Sequence, residues 1–163
     1  RGEHLRRPPP SEYTAQFVAR VEAAGLSVAG VDLPGIVEQM QVRTKFYSEI
    51  PGNCAYFFTE DYPFDPKGVE KRLKVDGVPE LLESVAGEYD GLAEFNLQST
   101  HDVLAAKAEV SGMGMGAMVH PVRVAVSGLT EGPGLFEMRT LIGRDRVCAR
   151  LRRVAARLRG GTL

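Results

Sequence analysis

The sequence predicts an all-α protein, and three observations carry that expectation. Apolar residues recur at helical spacing nearly throughout, most clearly in Val147, Leu151, Val154 and Leu158, which keep an i, i+4, i+7, i+11 stripe. Pro, Gly, Asp and Ser punctuate these stretches where helices start and stop. Only one segment alternates with the period of a strand, and it has no second strand to pair with.

In chain order, a first helix is expected after Ser11 as N-cap, with Tyr13, Phe17 and Val21 on one side and Gly25 ending it. A second falls within Gly35 to Phe46, with Ile36, Val37 and Met40 on its apolar side. Pro51 suits a first turn leading into Ala55, Tyr56, Phe57 and Phe58. Asp65-Pro66 reads as an N-cap followed by proline at the first helical position, with Val69 and Leu73 then facing one side. Pro79 starts a helix through Leu81, Leu82, Val85 and Tyr89, and Val103, Leu104 and Val110 mark another, closed by Gly112. Pro133 begins a short helix through Leu135, Phe136 and Leu141, stopped by Gly143, and Asp145 caps the last one. The exception is Val122, Val124 and Val126, which alternate with Arg123, Ala125 and Ser127 and read as a strand by period. There is no internal repeat and no low-complexity linker. The acidic stretch Glu88 to Glu94, with Gly87 and Gly91, is the expected seam between two helical subdomains, 1–90 and 91–163.

The 163 residues leave room for one domain or two small ones, and 44% hydrophobic with 25% charged residues suffices for a sizeable core. No stretch approaches the roughly 20 apolar residues that cross a bilayer, so no membrane partner is expected. Arg1 to Pro10 has charge but no apolar core after it, unlike a signal peptide, and a first residue of Arg suggests a fragment or processed chain. Cys54 and Cys148 form no CxxC pair and share no metal-ligand spacing with His4, His101 or His120, so reduced thiols in a cytoplasmic protein without a metal are expected. The net charge of −1 hides an asymmetry. From Pro121 onward nine Arg face three acidic residues (Glu131, Glu137, Asp145), a balance of +6 that leaves −7 for the residues before. A basic end is compatible with contact to a polyanion.

Met113-Gly114-Met115-Gly116 is Gly-rich but lacks a following Gly-Lys-Ser/Thr, which speaks for a flexible connector and against a phosphate-cradling loop. No Ser-His-Asp or Cys-His pairing stands out, so no catalytic residues are assigned. Arg146, Arg150, Arg153 and Arg157 form a second stripe on the last helix, broadened by Arg152 and Arg159. It reads either as a solvated face paired with acidic neighbours or as a phosphate-binding surface, and no aromatic residue for base stacking lies on that helix.

One block is more specific. His120-Pro121-Val122-Arg123-Val124-Ala125-Val126-Ser127-Gly128, followed by Gly132-Pro133-Gly134-Leu135-Phe136-Glu137, resembles the signature of the anticodon-binding domain of bacterial-type glutamyl-tRNA synthetases. There it runs approximately P-L-R-V-A-L-T-G, a short gap, P-G-L-F-E, and soon a Gly before the final helix. Cys54 to Phe58, Phe64-Asp65-Pro66-Lys67 and Arg1-Gly2-Glu3-His4-Leu5 are similar to further family segments, so the resemblance spans essentially the whole chain. Ser127 stands where Thr is usual, and Pro51-Gly52 interrupts a stretch where the family has helix formers.

The resemblance implies a helical cage that reads an anticodon loop, with Val122 to Val126 helical. It implies tRNA-Glu as partner, a catalytic domain of the same polypeptide that uses ATP with Mg2+, and a monomer. This chain carries neither the HIGH-like nor the KMSKS-like segment of class I synthetases, so no cofactor is expected in it. Arg123 is implied as the guanidinium contacting the anticodon's third base, and Arg43 as a candidate for the first. Gly132, Pro133, Leu135 and Phe136 are implied as the turn shaping the pocket, with Pro133 and Leu135 as apolar walls. Such a site is physically reasonable, because anticodon bases are unpaired and expose their hydrogen-bonding edges and faces. Two other readings stand beside it, a free-standing tRNA-binding paralogue and a helical protein-interaction module; the reading frame upstream of Arg1 separates them from the first.

Overall fold

The computed structural model describes residues 8–163; the Arg1 to Leu5 segment, His4 included, lies outside them. Among the described residues there are nine α-helices, two 3₁₀ turns, one π-helical turn and no strand, so the all-α expectation holds. The chain divides into two compact units, the first ending at Pro63 and the second running Phe64–Leu163. The expected seam at Glu88 to Glu94 therefore falls inside the second unit.

In the first unit, α1 (Pro10–Ala23) and α2 (Leu33–Gln41) precede a 3₁₀ turn (Tyr47–Glu49), α3 (Ile50–Cys54) and a second 3₁₀ turn (Ala55–Phe57). Ser11 is not the cap of α1: the N-cap is Pro9, two residues earlier, and Pro10 takes the first helical position, where a missing N–H costs nothing. Tyr13, Phe17 and Val21 are fully buried, as their spacing requires. Tyr13 and Phe17 stack 5.9 Å apart, and Phe17 meets Phe58 at 6.0 Å. The Tyr13 hydroxyl shares a 2.7 Å hydrogen bond with Thr44, and burial pushes its pKa up to about 12. Burial likewise pushes the Cys54 thiol up to about 12, and its Sγ–H donates to the Ile50 carbonyl at 2.9 Å.

The second unit begins with α4 (Pro66–Gly68), which runs into a π-helical turn (Val69–Leu73). Asp65 caps it as predicted, its Oδ1 accepting from the Lys67 N–H at 3.3 Å. There follow α5 (Val78–Asp90), α6 (Leu97–Ser111), α7 (Met115–Ser127), α8 (Leu135–Ile142) and α9 (Arg144–Gly160). Helix α5 packs along α9. Leu82, Val85, Ala86 and Tyr89 of one and Val147, Leu151, Val154 and Ala155 of the other are all buried. Fully burying a Val or Leu side chain contributes about 1.5–3 kcal/mol, so this pair of faces dominates the unit's core. The rim is ionic: Arg152 Nη2 bonds Asp90 at 2.6 Å, and Arg159 binds both Glu80, at 2.8 Å, and Glu83. Of the acidic residues read as a seam, Asp90 instead serves Arg152, and Glu88 pairs with Lys107.

Three boundaries in the second unit also differ from the sequence reading. Met115 and Gly116 are the first turn of α7, with Gly114 as N-cap, so the Gly-rich run is half helix and not a connector. Pro133 lies in the turn before α8, whose N-cap is Gly134. Gly143 is the N-cap of α9, and Asp145 sits in the first turn, where its charge complements the helix N-terminus.

Candidate nucleic-acid interface

Helix α7 is buried almost all round at its C-terminal half. Pro121, Val122, Val124, Ala125, Val126, Ser127 and Gly128 are buried, and Arg123 alone among residues 121–128 is half-exposed. The valine alternation therefore marks no alternation of environment, and the segment is helical as the resemblance implies. The helix closes on Gly128, whose φ of 77° favours glycine and whose N–H donates to the Val124 carbonyl at 2.7 Å. Ser127 Oγ donates to the Arg123 carbonyl at 2.7 Å and accepts from the Leu129 N–H at 3.0 Å. A hydroxyl at position 127 is thus part of the turn that follows.

That turn comes back to Arg123. Its Nη1 donates to the Pro133 carbonyl at 2.7 Å, ten residues on. One nitrogen of the planar guanidinium is therefore fixed to the backbone, which sets the orientation of the whole group. Gly132 has φ 145°, and a Cβ on Gly134 would collide with the Glu137 carboxylate. Pro133 and Leu135 are buried, so they hold the turn from inside and do not stand as exposed walls. Phe136 is half-exposed, with the exposed His101 ring 5.0 Å away. On its other contact the Arg139 guanidinium carbon lies 4.5 Å from the ring centroid.

Arg139 escaped the sequence reading. It is fully buried, lies 5.1 Å from the Tyr89 ring centroid, and donates from Nη1 to the Tyr89 hydroxyl. Its Nε and Nη2 have no hydrogen-bond partner among the described residues, and burial lowers its pKa from the usual arginine range. Nothing in its own sequence neighbourhood signals this, because Tyr89 is 50 residues away.

The structure brings Arg123, Gly132, Pro133, Leu135 and Phe136 into one corner. Arg43 belongs to the first unit, where it is exposed and its Nη1 donates to the Gln39 carbonyl at 2.7 Å. The arginine stripe of α9 does not survive as one surface. Arg150 is fully buried and donates from Nη1 to the Val126 carbonyl at 2.7 Å, an acceptor in the last turn of α7 that has no helical partner. Arg157 donates to the Thr162 carbonyl at 2.8 Å and lies 5.8 Å from the Phe64 ring centroid. Arg146 is half-exposed and Arg153 exposed.

A second cationic group was not anticipated. Lys71 and Arg72 of the π-helical turn act on His120 of α7 together with Arg123. Burial first, then Arg72, Arg123 and Lys71, lowers the His120 pKa. Lys71 and Arg72 also border a cleft of about 710 Å³ whose lining includes Val75, Val110, Met113 and Pro121. The sequence signal was the Lys71-Arg72 pair next to the Asp65-Pro66 cap. No group of three or more His, Cys, Asp or Glu able to hold a metal occurs among the described residues, and none of their helices is long and apolar enough to cross a membrane.

Fold and corner together define a helical domain that presents a directed guanidinium beside a backbone-rich turn. The chain belongs to the anticodon binding domain family, whose model matches residues 12–155. Its curated relatives include a glutamate–tRNA ligase of Moorella thermoacetica, 36% identical over 124 residues, which are 76% of this chain and 25% of that protein. Glutamate–tRNA ligase 2 of Koribacter versatilis is 32% identical over 154 residues, 93% of this chain and 32% of that protein. The match falls on the C-terminal part of these ligases, and the chain spans only about a quarter to a third of their length. A crystal structure of a glutamate tRNA ligase from Elizabethkingia meningosepticum in complex with its amino acid has the same fold over 91% of this chain and 29% of its own, with a TM-score of 0.77 and 21% identity.

Proposed function

We propose that this chain binds the anticodon loop of tRNA-Glu as the C-terminal part of a cytoplasmic glutamate–tRNA ligase. It positions the tRNA for glutamylation by a catalytic domain of the same polypeptide, where ATP and Mg2+ act. The observation that carries the reading is the Arg123–Pro133 corner, set in a chain that matches the anticodon binding domain family over residues 12–155. Base recognition needs rigid donors at a fixed distance from a splayed base, and a guanidinium anchored on backbone meets that need with less entropy lost on binding than a free side chain. The turn at Gly132 to Gly134 supplies backbone groups beside it, and Phe136 with His101 supplies ring faces for stacking. Arg43, in the first unit, is the candidate for a second anticodon position. The chain acts as a monomer on one tRNA.

The test is a titration of the chain with tRNA-Glu and with a non-cognate tRNA at two salt concentrations. Tighter binding of tRNA-Glu at both is expected. Equal binding of the two at moderate salt would show that the domain holds RNA only through its backbone.

A further inference from the structure

If the domain reads a loop, the phosphates flanking the read base need cations nearby, and the sequence offered α9 for that role. The structure uses four of the α9 arginines otherwise. Arg150 is buried on Val126, Arg152 and Arg159 are bound to Asp90, Glu80 and Glu83, and Arg157 is bound to Thr162. We propose that the phosphate-binding face lies instead on the π-helical turn and α7, formed by Lys71, Arg72 and His120 beside Arg123. This rests on the tRNA-binding reading above and assigns the backbone contacts of the same site.

Three observations support it. The turn is locked onto α7: Gly68, just before it, packs so closely that a Cβ there would lie 3.6 Å from a Val124 methyl and 2.8 Å from the Thr130 methyl. His120 is one helical turn before Val124, and the charges acting on it from the turn and from α7 are Arg72, Lys71 and Arg123, all cationic. Two elements thus bring their cations together; of the carboxylates lining the cleft beside Lys71 and Arg72 (Asp76, Glu80 and Glu88), Glu80 is held by Arg159 and Glu88 by Lys107. Lys71 and Arg72 have no carboxylate partner among the described residues, while the nearby Glu70 is taken by Lys74 at 3.1 Å. Like charges held together destabilise a free protein unless something negative joins them, and a run of phosphates, spaced several ångström apart and each carrying one charge, is such a ligand. Because Arg123 belongs to both the reading corner and this face, an RNA strand with one base in the corner carries its neighbouring phosphates across Arg72 and Lys71.

The experiment measures binding of the full chain to tRNA-Glu and to its three single-base anticodon variants across a salt series. Lys71→Ala and Arg72→Ala should each reduce the slope of log K against log salt by about 1, and the double variant by about 2. The losses should be the same factor for all four RNAs, because a phosphate does not differ between them. Lys71→Arg should keep the wild-type slope, which separates lost charge from lost folding, and circular dichroism checks that the helices persist. The proposal is overturned if the double variant keeps the wild-type slope, or if Arg153→Ala on α9 lowers the slope while the double variant does not. If the wild-type chain shows no preference for tRNA-Glu, the tRNA reading falls and this proposal with it. If that preference stands and the double variant's slope is unchanged, only this proposal falls.

Discussion

Replacing Gly68 with Ala probes the contact that seats the π-helical turn on α7. In a helix, alanine is favoured over glycine by about 0.5–1 kcal/mol, so the substitution alone is stabilising. Here the new Cβ would lie 2.8 Å from Thr130 Cγ2, against the roughly 3.5–4.0 Å of a favourable carbon contact. One side must retreat by about 1 Å, and overpacking of that kind costs about 1–3 kcal/mol. Gly68→Ala should therefore destabilise by about 1 kcal/mol. The remaining neighbours, Asp65 Oδ2 at 3.5 Å and Val124 Cγ2 at 3.6 Å, are at ordinary contact. Thr130→Ser removes only the offending methyl from an exposed residue and should be neutral within about 0.5 kcal/mol. In that background Gly68→Ala should reverse sign and stabilise by about 0.5–1 kcal/mol, a coupling of about 1.5–2 kcal/mol. Urea unfolding of the four proteins, compared by midpoint at constant m, measures the cycle. An additive cycle, with the alanine equally harmful in the wild-type and Thr130→Ser backgrounds, would refute the packing at this turn.

Further outcomes follow from the other sites. Arg150→Ala should cost roughly 2–5 kcal/mol in urea unfolding, because it empties a buried volume and strands the Val126 carbonyl, while the salt slope for RNA stays unchanged. His120 has its folded pKa lowered below its ordinary value of about 6.5, so the unfolded chain takes up the proton first, and stability is lost as pH falls from about 6.5 toward the lowered folded value. Unfolding midpoints from pH 7.5 down to 5.5 should decline, and His120→Gln should flatten the decline. Burial pushes the Cys54 and Cys148 thiols up to about 12, so a thiol reagent at pH 8 should label neither in the native chain and both in denaturant.

Much of the fold was legible because its helices are amphipathic and punctuated. The α9 stripe from Val147 to Val154 is buried as its spacing demands, and Gly112 closes α6 where the pattern breaks. The reading weakened where a helix is buried on more than one side. The α7 valines alternate with Arg123, Ala125 and Ser127, but Ala125 and Ser127 are as buried as the valines and only Arg123 is half-exposed, so the period marks no second face. Arg150 sits three residues after Val147 and four before Val154, at the edge of the apolar stripe. Helices α5, α7 and α8 all pack on α9, which widens its buried face enough to enclose that arginine. The acidic residues near Glu88 looked like a boundary because their partners lie far along the chain, Asp90 bonding Arg152. Of the candidate site, the Arg123-to-Phe136 block was readable as a motif, whereas the convergence of Lys71 and Arg72 on His120 depends on tertiary packing that no local pattern encodes.

Whether Arg123 reads a base is decided by the binding of wild-type and Arg123→Ala chains to tRNA-Glu and to transcripts changed singly at each of the three anticodon positions, at one fixed moderate salt. The wild-type chain should discriminate at one position by about 1–3 kcal/mol, roughly 5- to 150-fold, and Arg123→Ala should abolish the difference there while leaving the other positions as they were. If wild-type and variant show the same pattern across the three positions, Arg123 reads no base and its assignment to the anticodon fails.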